Sequence, residues 1–273
     1  MFTDIVCEDP RQARLGRALF RKAEVHTRNT VLPHRTAYDW CRPTVNAEQR
    51  ISSTDVALLS AAIPSVEPGK SRGPTTAERM ELYSRYAGGL ASESSLRALE
   101  QARIDPQEIT HLITVTCTGF DIELIERLGL PATTQRMQIG FMGCHGAING
   151  LRAARAVTQS DPSARVLLCA VELCSLHYRF TWDSEGIIGN ALFADGSAAL
   201  ILSGGDGERQ MDGERPSHAA PWQVVDTGSV VIADSKQSMS WSIGDHGFDM
   251  RLSSDIGDKI EHQLAGWLKD WLG

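Results

Sequence analysis

The sequence predicts a layered α/β fold, and three observations carry that expectation. Segments of helical periodicity alternate with short β-branched runs, the pattern of helices packed on a sheet. One β-like run, ending at Ile139 and Gly140, passes through Gly143 and Cys144 into an amphipathic stretch, which reads as strand, tight turn, helix. Hydrophobic residues make up 42% of the 273 positions, enough to bury a large core in one or two domains.

Taken in order, residues 11–27 read as a helix and the proline- and arginine-containing segment 32–43 as irregular. Thr75 and Glu78 have the spacing of a capping box for a helix running through Tyr86. Leu96, Leu99 and Ala102 mark a further amphipathic helix, closed by Asp105-Pro106. A strand over 109–116, a helix over 121–128 and a strand over 136–139 lead to the cysteine. Beyond it Ala147, Ile148, Leu151, Ala154 and Val157 recur at helical spacing, with Arg152, Arg155 and Gln159 on the other side. Strands over 165–171 and 198–202 bracket a glycine-flanked segment around Phe193. Residues 204–221 are polar and rich in Gly, Asp and Glu, the composition of a linker. New strands are expected over 222–233, and Ile256, Ile260, Leu264, Trp267, Leu268 and Trp271 outline a final amphipathic helix.

The formal net charge of −7 argues against a nucleic-acid scaffold. Arg11, Arg14, Arg17, Arg21 and Lys22 nevertheless cluster near the start, either as a solvated helix face or as a surface for a phosphate-bearing ligand. The first residues lack the character of a signal peptide, and no apolar run is long enough to span a bilayer. Six cysteines without a paired framework add to the expectation of a reduced, cytoplasmic protein with no membrane partner.

Cys144 is the residue around which chemistry can be built. Unpaired N–H groups at a helix start stabilise an anion and raise a cysteine's thiolate fraction, and Gly143 and Gly146 would admit a substrate carbonyl beside the sulfur. A small buried core cysteine is the competing reading, since free cysteines are among the most buried residues. Cys169 and Cys174 with His145 or His177 offer a zinc alternative, but a matching second cysteine pair is missing, so no metal is expected.

Three blocks extend this reading. Gly140-Phe141-Met142-Gly143-Cys144-His145-Gly146-Ala147 lies between Ile109-Thr110-His111-Leu112-Ile113-Thr114-Val115-Thr116-Cys117-Thr118-Gly119-Phe120 and Gly189-Asn190-Ala191-Leu192-Phe193-Ala194-Asp195-Gly196-Ser197-Ala198-Ala199. Together they resemble a type III polyketide synthase of the chalcone/stilbene synthase family, from about Arg14 to the last helix. The resemblance implies an α/β thiolase-like layered fold with its first half complete or nearly so and its second half truncated. Residues 1–205 would be the N-terminal thiolase-like half with the nucleophile, 206–221 a linker and 222–273 the opening of the C-terminal half. The N-terminal strand that usually opens the fold is not found.

The resemblance also implies a homodimer whose Cys144 takes acyl groups from coenzyme A thioesters and extends them with malonyl units, with acyl-CoA and malonyl-CoA as substrates and no cofactor. It casts Phe193 as the gatekeeper between coenzyme A tunnel and acyl cavity, Cys117, Glu172, Cys174 and Gly189 as pocket-lining, and Lys22 as the contact to coenzyme A. Met250 stands near a position where relatives carry a second aromatic. Gly119-Phe120 runs directly into Asp121, where relatives carry an insertion that reaches across the dimer. A histidine in a His-Pro-Gly-Gly-Pro type motif and an asparagine in a Gly-Asn type motif complete the family's site from its C-terminal part, and residues 222–273 carry neither. His246, among turn-like neighbours, is expected to be a loop residue. The alternative function is a non-catalytic thiolase-fold protein that dimerises or binds acyl thioesters. A ketoacyl synthase of fatty-acid initiation is a third reading, less favoured by the Gly-Phe-Met-Gly-Cys-His-Gly block.

Overall fold

The computed structural model describes residues 7, 9–32, 73–120, 122–179, 182–204 and 222–273. Asp121, the irregular segment beyond Leu32 and the 206–221 linker lie outside the described residues. The chain divides into two compact units that interleave in sequence: one comprises Met1–Tyr86, Glu172–Gly196 and Val230–Gly273, the other Ala87–Val171 and Ser197–Ser229.

Helix α1 spans Pro10–Lys22. Asp9 caps it by accepting from the amides of Arg11 and Gln12, with proline in the first turn where its missing N–H is not needed. It stops short of the expected Thr27 because Glu24 takes a left-handed φ of +54°, and its amide bonds back to Arg21 O at 3.2 Å. Helix α2 spans Thr76–Ala102. The capping box is present: the Thr75 amide and hydroxyl each donate to Glu78 Oε2 at 2.7 Å. Two helices were expected here, yet α2 continues through Gly88 and Gly89. A Cβ at Gly88 would lie 2.5 Å from Arg127 Nε and 3.0 Å from Ile122 O, so this glycine permits close packing and does not mark a stop. The helix ends in a Schellman motif, with Arg103 at φ +53° and the Ile104 amide bonded to Leu99 O.

The main sheet has four strands: β1 (His111–Thr116), β2 (Gln135–Gly140), β3 (Arg165–Leu173) and β4 (Asp195–Ser203). Their order is β2-β1-β3-β4, and β1 runs parallel to both β2 and β3, with Ile113 opposite Met137 and Leu168. Central strands β1 and β3 are buried along most of their length, β3 as a near-continuous apolar run and β1 with two buried threonines, whereas β2 lies at the edge with its side chains largely exposed. Between β1 and β2 the short helix α3 (Leu124–Leu128) starts later than the expected residue 121, after Glu123 at φ +43°. Helix α4 (Gly146–Ser160) packs on β1 and β2. Ala154 of this helix and Ile113, Val115, Val166 and Leu168 of the sheet form the core between them, with Ile139, Leu151 and Val157 at its margin.

Helix α5 (Ser184–Leu192) occupies the segment expected only to be glycine-flanked. Buried Ile187 and Ala191, one turn apart, were the available signal. The strands expected over 222–233 do not form. Arg155 donates to Val224 O and Val225 O at 3.1 and 2.7 Å, and Arg152 to Gly228 O and Thr227 Oγ1 at 3.1 and 3.3 Å. Guanidinium donors thus hold carbonyls that a ladder would otherwise have used, and β-branched content alone does not make a strand.

The hairpin comes later: β5 (Met239–Gly244) pairs antiparallel with β6 (Gly247–Leu252) across Asp245-His246. Gly247 has φ +105° and lies against the end of the Arg79 side chain, where a Cβ would meet Cδ, Cζ and Nε at 3.1–3.2 Å. Arg79 is fully buried and donates to the carbonyls of Pro74, Leu176 and Tyr178. The hairpin turn also caps α2, with the Thr76 amide donating to Asp245 O at 2.8 Å. Helix α6 (Ile256–Leu272) closes the chain, and none of its residues is buried.

Candidate active site

Cys144 occupies the junction anticipated for it. Beyond β2 the backbone turns sharply, with Phe141 at φ +54° and Gly143 at φ +68°, then makes a single 3₁₀ turn, Gly143–His145, that runs into α4. The left-handed φ at 143 is one that glycine adopts without strain. No side chain caps the start of α4, and Cys144 is exposed, which removes the buried-core reading of this cysteine. Two glycines seat the helix: a Cβ at Gly146 would lie 2.9 Å from Val115 Cγ1, and one at Gly150 would lie 2.6 Å from Leu168 Cδ1. Cys117 belongs to the same unit. It is buried at the end of β1, with its Sγ 3.9 Å from Gly143 O. Phe120 and Phe141 sit with ring centroids 5.9 Å apart on the exposed side of the turn.

The remaining candidates belong to the other unit. Glu172, at the end of β3, and Cys174, in the 3₁₀ turn Cys174–His177, are half-buried. Gly189 lies inside α5, where a Cβ would be 3.0 Å from Met250 Cε and 3.7 Å from Phe193 Cδ2. Gly189 therefore gives the Phe193 ring and the Met250 thioether their places. Half-buried Phe193 follows α5 directly, its amide bonded to Gly189 O at 2.9 Å and its carbonyl accepting from the Tyr178 hydroxyl at 2.7 Å. Lys22 is exposed in the last turn of α1.

His177 is buried, stacked on Phe248 with centroids 4.3 Å apart and edge-on to Trp241 at 6.0 Å. Its Nδ1 accepts the Phe248 amide at 2.9 Å, so that nitrogen carries no proton and the hydrogen sits on Nε2. His246 lies in the hairpin turn, with Nδ1 3.0 Å from Gly73 O. Among the described residues no group of three His, Cys, Asp or Glu side chains is placed to hold a metal ion. No described helix is long and apolar enough to cross a membrane.

Sequence reasoning missed the buried carboxylate of Asp195. It accepts from the Val31 amide at 2.8 Å, the Ser175 amide at 2.8 Å and the Ser175 hydroxyl at 2.6 Å. Burial pushes its pKa above the ordinary aspartate value, and the bonds from Ser175, Val31 and Thr30 offset part of that rise.

The fold is that of the thiolase-like type III polyketide synthases. The chain superposes with a TM-score of 0.75 on PKS-I from the brown alga Ectocarpus siliculosus (24% identity, 100% of this chain and 68% of that one). The TM-score is also 0.75 on 1,3,6,8-tetrahydroxynaphthalene synthase from Streptomyces coelicolor A3(2) (23% identity, 98% and 66%). Residues 18–206 match the family of chalcone and stilbene synthases, N-terminal domain, and the chain belongs to that family. Among curated relatives, Type III polyketide synthase C of Arabidopsis thaliana is 31% identical over 203 residues, which is 72% of this chain and 51% of the relative. Polyketide synthase 37 of Dictyostelium discoideum is 30% identical over 201 residues, 71% of this chain and 6% of that protein. The chain therefore spans about half the length of the first of these and a small part of the second.

Proposed function

We propose that this chain is the acyl-accepting part of a type III polyketide synthase, with Cys144 as the nucleophile. The observation that carries the reading is the exposed thiol on a 3₁₀ turn at the uncapped start of a helix seated on the sheet through glycine. The Cys144 thiolate attacks the thioester carbonyl of an acyl-CoA. The carbon–sulfur bond to coenzyme A breaks, the coenzyme A thiolate leaves and takes up a proton, and the acyl group remains on Sγ. Loss of carbon dioxide from malonyl-CoA then supplies an enolate that attacks the acyl carbonyl, releasing Cys144 as thiolate and forming a lengthened ketoacyl-CoA.

The family's roles, carried over residue by residue, make Phe193 the gate, give Cys117, Glu172, Cys174 and Gly189 contacts to the acyl chain, and give Lys22 the phosphates of coenzyme A. Met250, packed beside Gly189, places a flexible thioether near the gate. A homodimer is part of the proposal: edge strand β2 is exposed, and Met137, Phe141, Met142 and Phe120 add exposed apolar surface beside it.

The test is acylation. Incubation with an acyl-CoA should add one acyl mass to the intact protein, localised to Cys144 by peptide mapping and absent in Cys144→Ser. Loading that persists in Cys144→Ser would overturn the assignment.

A further inference from the structure

The backbone on both sides of Phe193 is held by residues from distant parts of the same unit. The guanidinium of Arg28 donates through Nε, at 2.9 Å, and through Nη2 to Ala191 O. That carbonyl lies in the last turn of α5, where it has no partner within the helix and where a cation is favoured. Arg28 also sits 5.1 Å above the Phe20 ring of α1, which fixes its plane. The Phe193 carbonyl accepts from Tyr178 Oη, on a side chain that is itself buried. Two residues on, the Asp195 amide donates to Asn29 O at 2.9 Å, and the Asp195 carboxylate takes the Val31 and Ser175 donors. Successive anchors at 191, 193 and 195 leave the stretch little freedom to swing as a loop. The Phe193 ring stays half-buried over Gly189, and its side-chain torsions are the motion that remains.

The geometry points to Arg28 and Tyr178 as positioning residues of the Phe193 gate: they clamp its backbone, so that ring rotation alone opens and closes it. This rests on the reading of Phe193 as the gate. Arg28 acts through the end of α5 and Tyr178 through the Phe193 carbonyl, and neither has to touch an acyl chain.

Two readouts test the clamp in the full chain. The first is fluorine NMR of para-fluorophenylalanine placed at 193. Arg28→Gln and Tyr178→Phe should each broaden or split the resonance, and Arg28→Lys, which keeps the charge but not the fork, should fall between them and the unsubstituted protein. The second is the rate of Cys144 acylation by a long-chain relative to a short-chain acyl-CoA. Each substitution should shift that ratio by about fivefold, and should have no further effect in a Phe193→Ala background, the signature of residues acting as one unit. General destabilisation lowers the melting temperature without that non-additivity. Should Arg28→Gln fail to fold, Tyr178→Phe, which removes only a hydroxyl, carries both measurements. Fluorine spectra that superimpose on that of the unsubstituted protein would overturn the clamp. A ratio unchanged in Phe193→Ala overturns the gate reading itself, while a ratio that moves in Phe193→Ala but in neither clamp variant overturns only the positioning role.

Discussion

Gly150→Ala puts the seating of the Cys144 helix to a quantitative test. The new methyl carbon would lie 2.6 Å from Leu168 Cδ1, 3.2 Å from Val115 Cγ2 and 3.3 Å from Leu168 Cδ2. Carbon atoms rest at about 3.5–4.0 Å, so relief requires about 1 Å of movement between α4 and the sheet. Leu168 and Val115 are 3% exposed and belong to the core, so neither side chain has open space to turn into. Overpacking of this kind typically costs about 1–3 kcal/mol, while replacing a helical glycine with alanine returns about 1 kcal/mol. The net expectation is a loss of up to about 2 kcal/mol, read in denaturant unfolding. The larger effect should be chemical, because α4 begins two residues after Cys144 and moves with it. A misplacement of about 1 Å at a reacting group can reduce rate by about 100-fold. Time-resolved intact mass of acyl-CoA loading measures this directly. A variant that is as stable as the parent and loads at the parent rate would refute the view that Gly150 sets the position of the thiol.

Gly89 offers the opposite case: nothing lies within 4 Å of its Cβ position and it is an exposed helical residue, so Gly89→Ala should stabilise by about 0.5–1 kcal/mol in the same denaturation assay. Iodoacetamide should label exposed Cys144 well before fully buried Cys169 in the native protein, and equal labelling rates by peptide mapping would count against the proposed nucleophile. Because the folded pKa of Asp195 is raised, the protonated form favours the native state. Its contribution is present at acid pH and is lost as pH rises through the raised value. The difference in unfolding free energy between parent and Asp195→Asn should accordingly fall as pH rises above the ordinary aspartate value, and a difference that grows with pH would contradict the burial argument. Helix α6 has no buried residue and exposes Ile260, Leu264 and Trp271, so the chain should bind a hydrophobic dye, and Ile260→Glu with Leu264→Glu should reduce the signal.

The sequence was most legible where structure is local. The turn at Cys144, the start of α4, the Thr75–Glu78 box and the periodicity of α6 depend on residues within a few positions of one another, and each is found. The failures share a different cause. Residues 76–102 read as two helices because the sequence does not disclose that Arg127 and Ile122 press against the Gly88 face of one continuous helix. Val224, Val225, Val230 and Val231 look like strand because a carbonyl held by Arg152 or Arg155 leaves no trace in composition. What those arginines hold lies about 70 residues further along the chain. The same holds for the proposed gate. Phe193 is identifiable from the block around it, whereas the bond from Arg28 to Ala191 crosses 163 positions and has no counterpart in local pattern.

The interleaving of the two compact units has a consequence for the order in which the chain can fold during synthesis. The unit holding Cys144 is continuous from Ala87 to Val171 and is completed by Ser197–Ser229, so all of its partners have emerged before the hairpin is made. The unit holding Phe193 must wait. The first turn of α2 donates to Asp245 O, a partner well over 150 residues downstream. At about 5–20 residues per second, that amide of α2 remains without its final acceptor for about ten seconds or more. Over that interval the growing chain carries the finished turn at Cys144 while the unit that holds Phe193 is incomplete, and nascent-chain proteolysis should find residues 87–171 protected before residues 10–32.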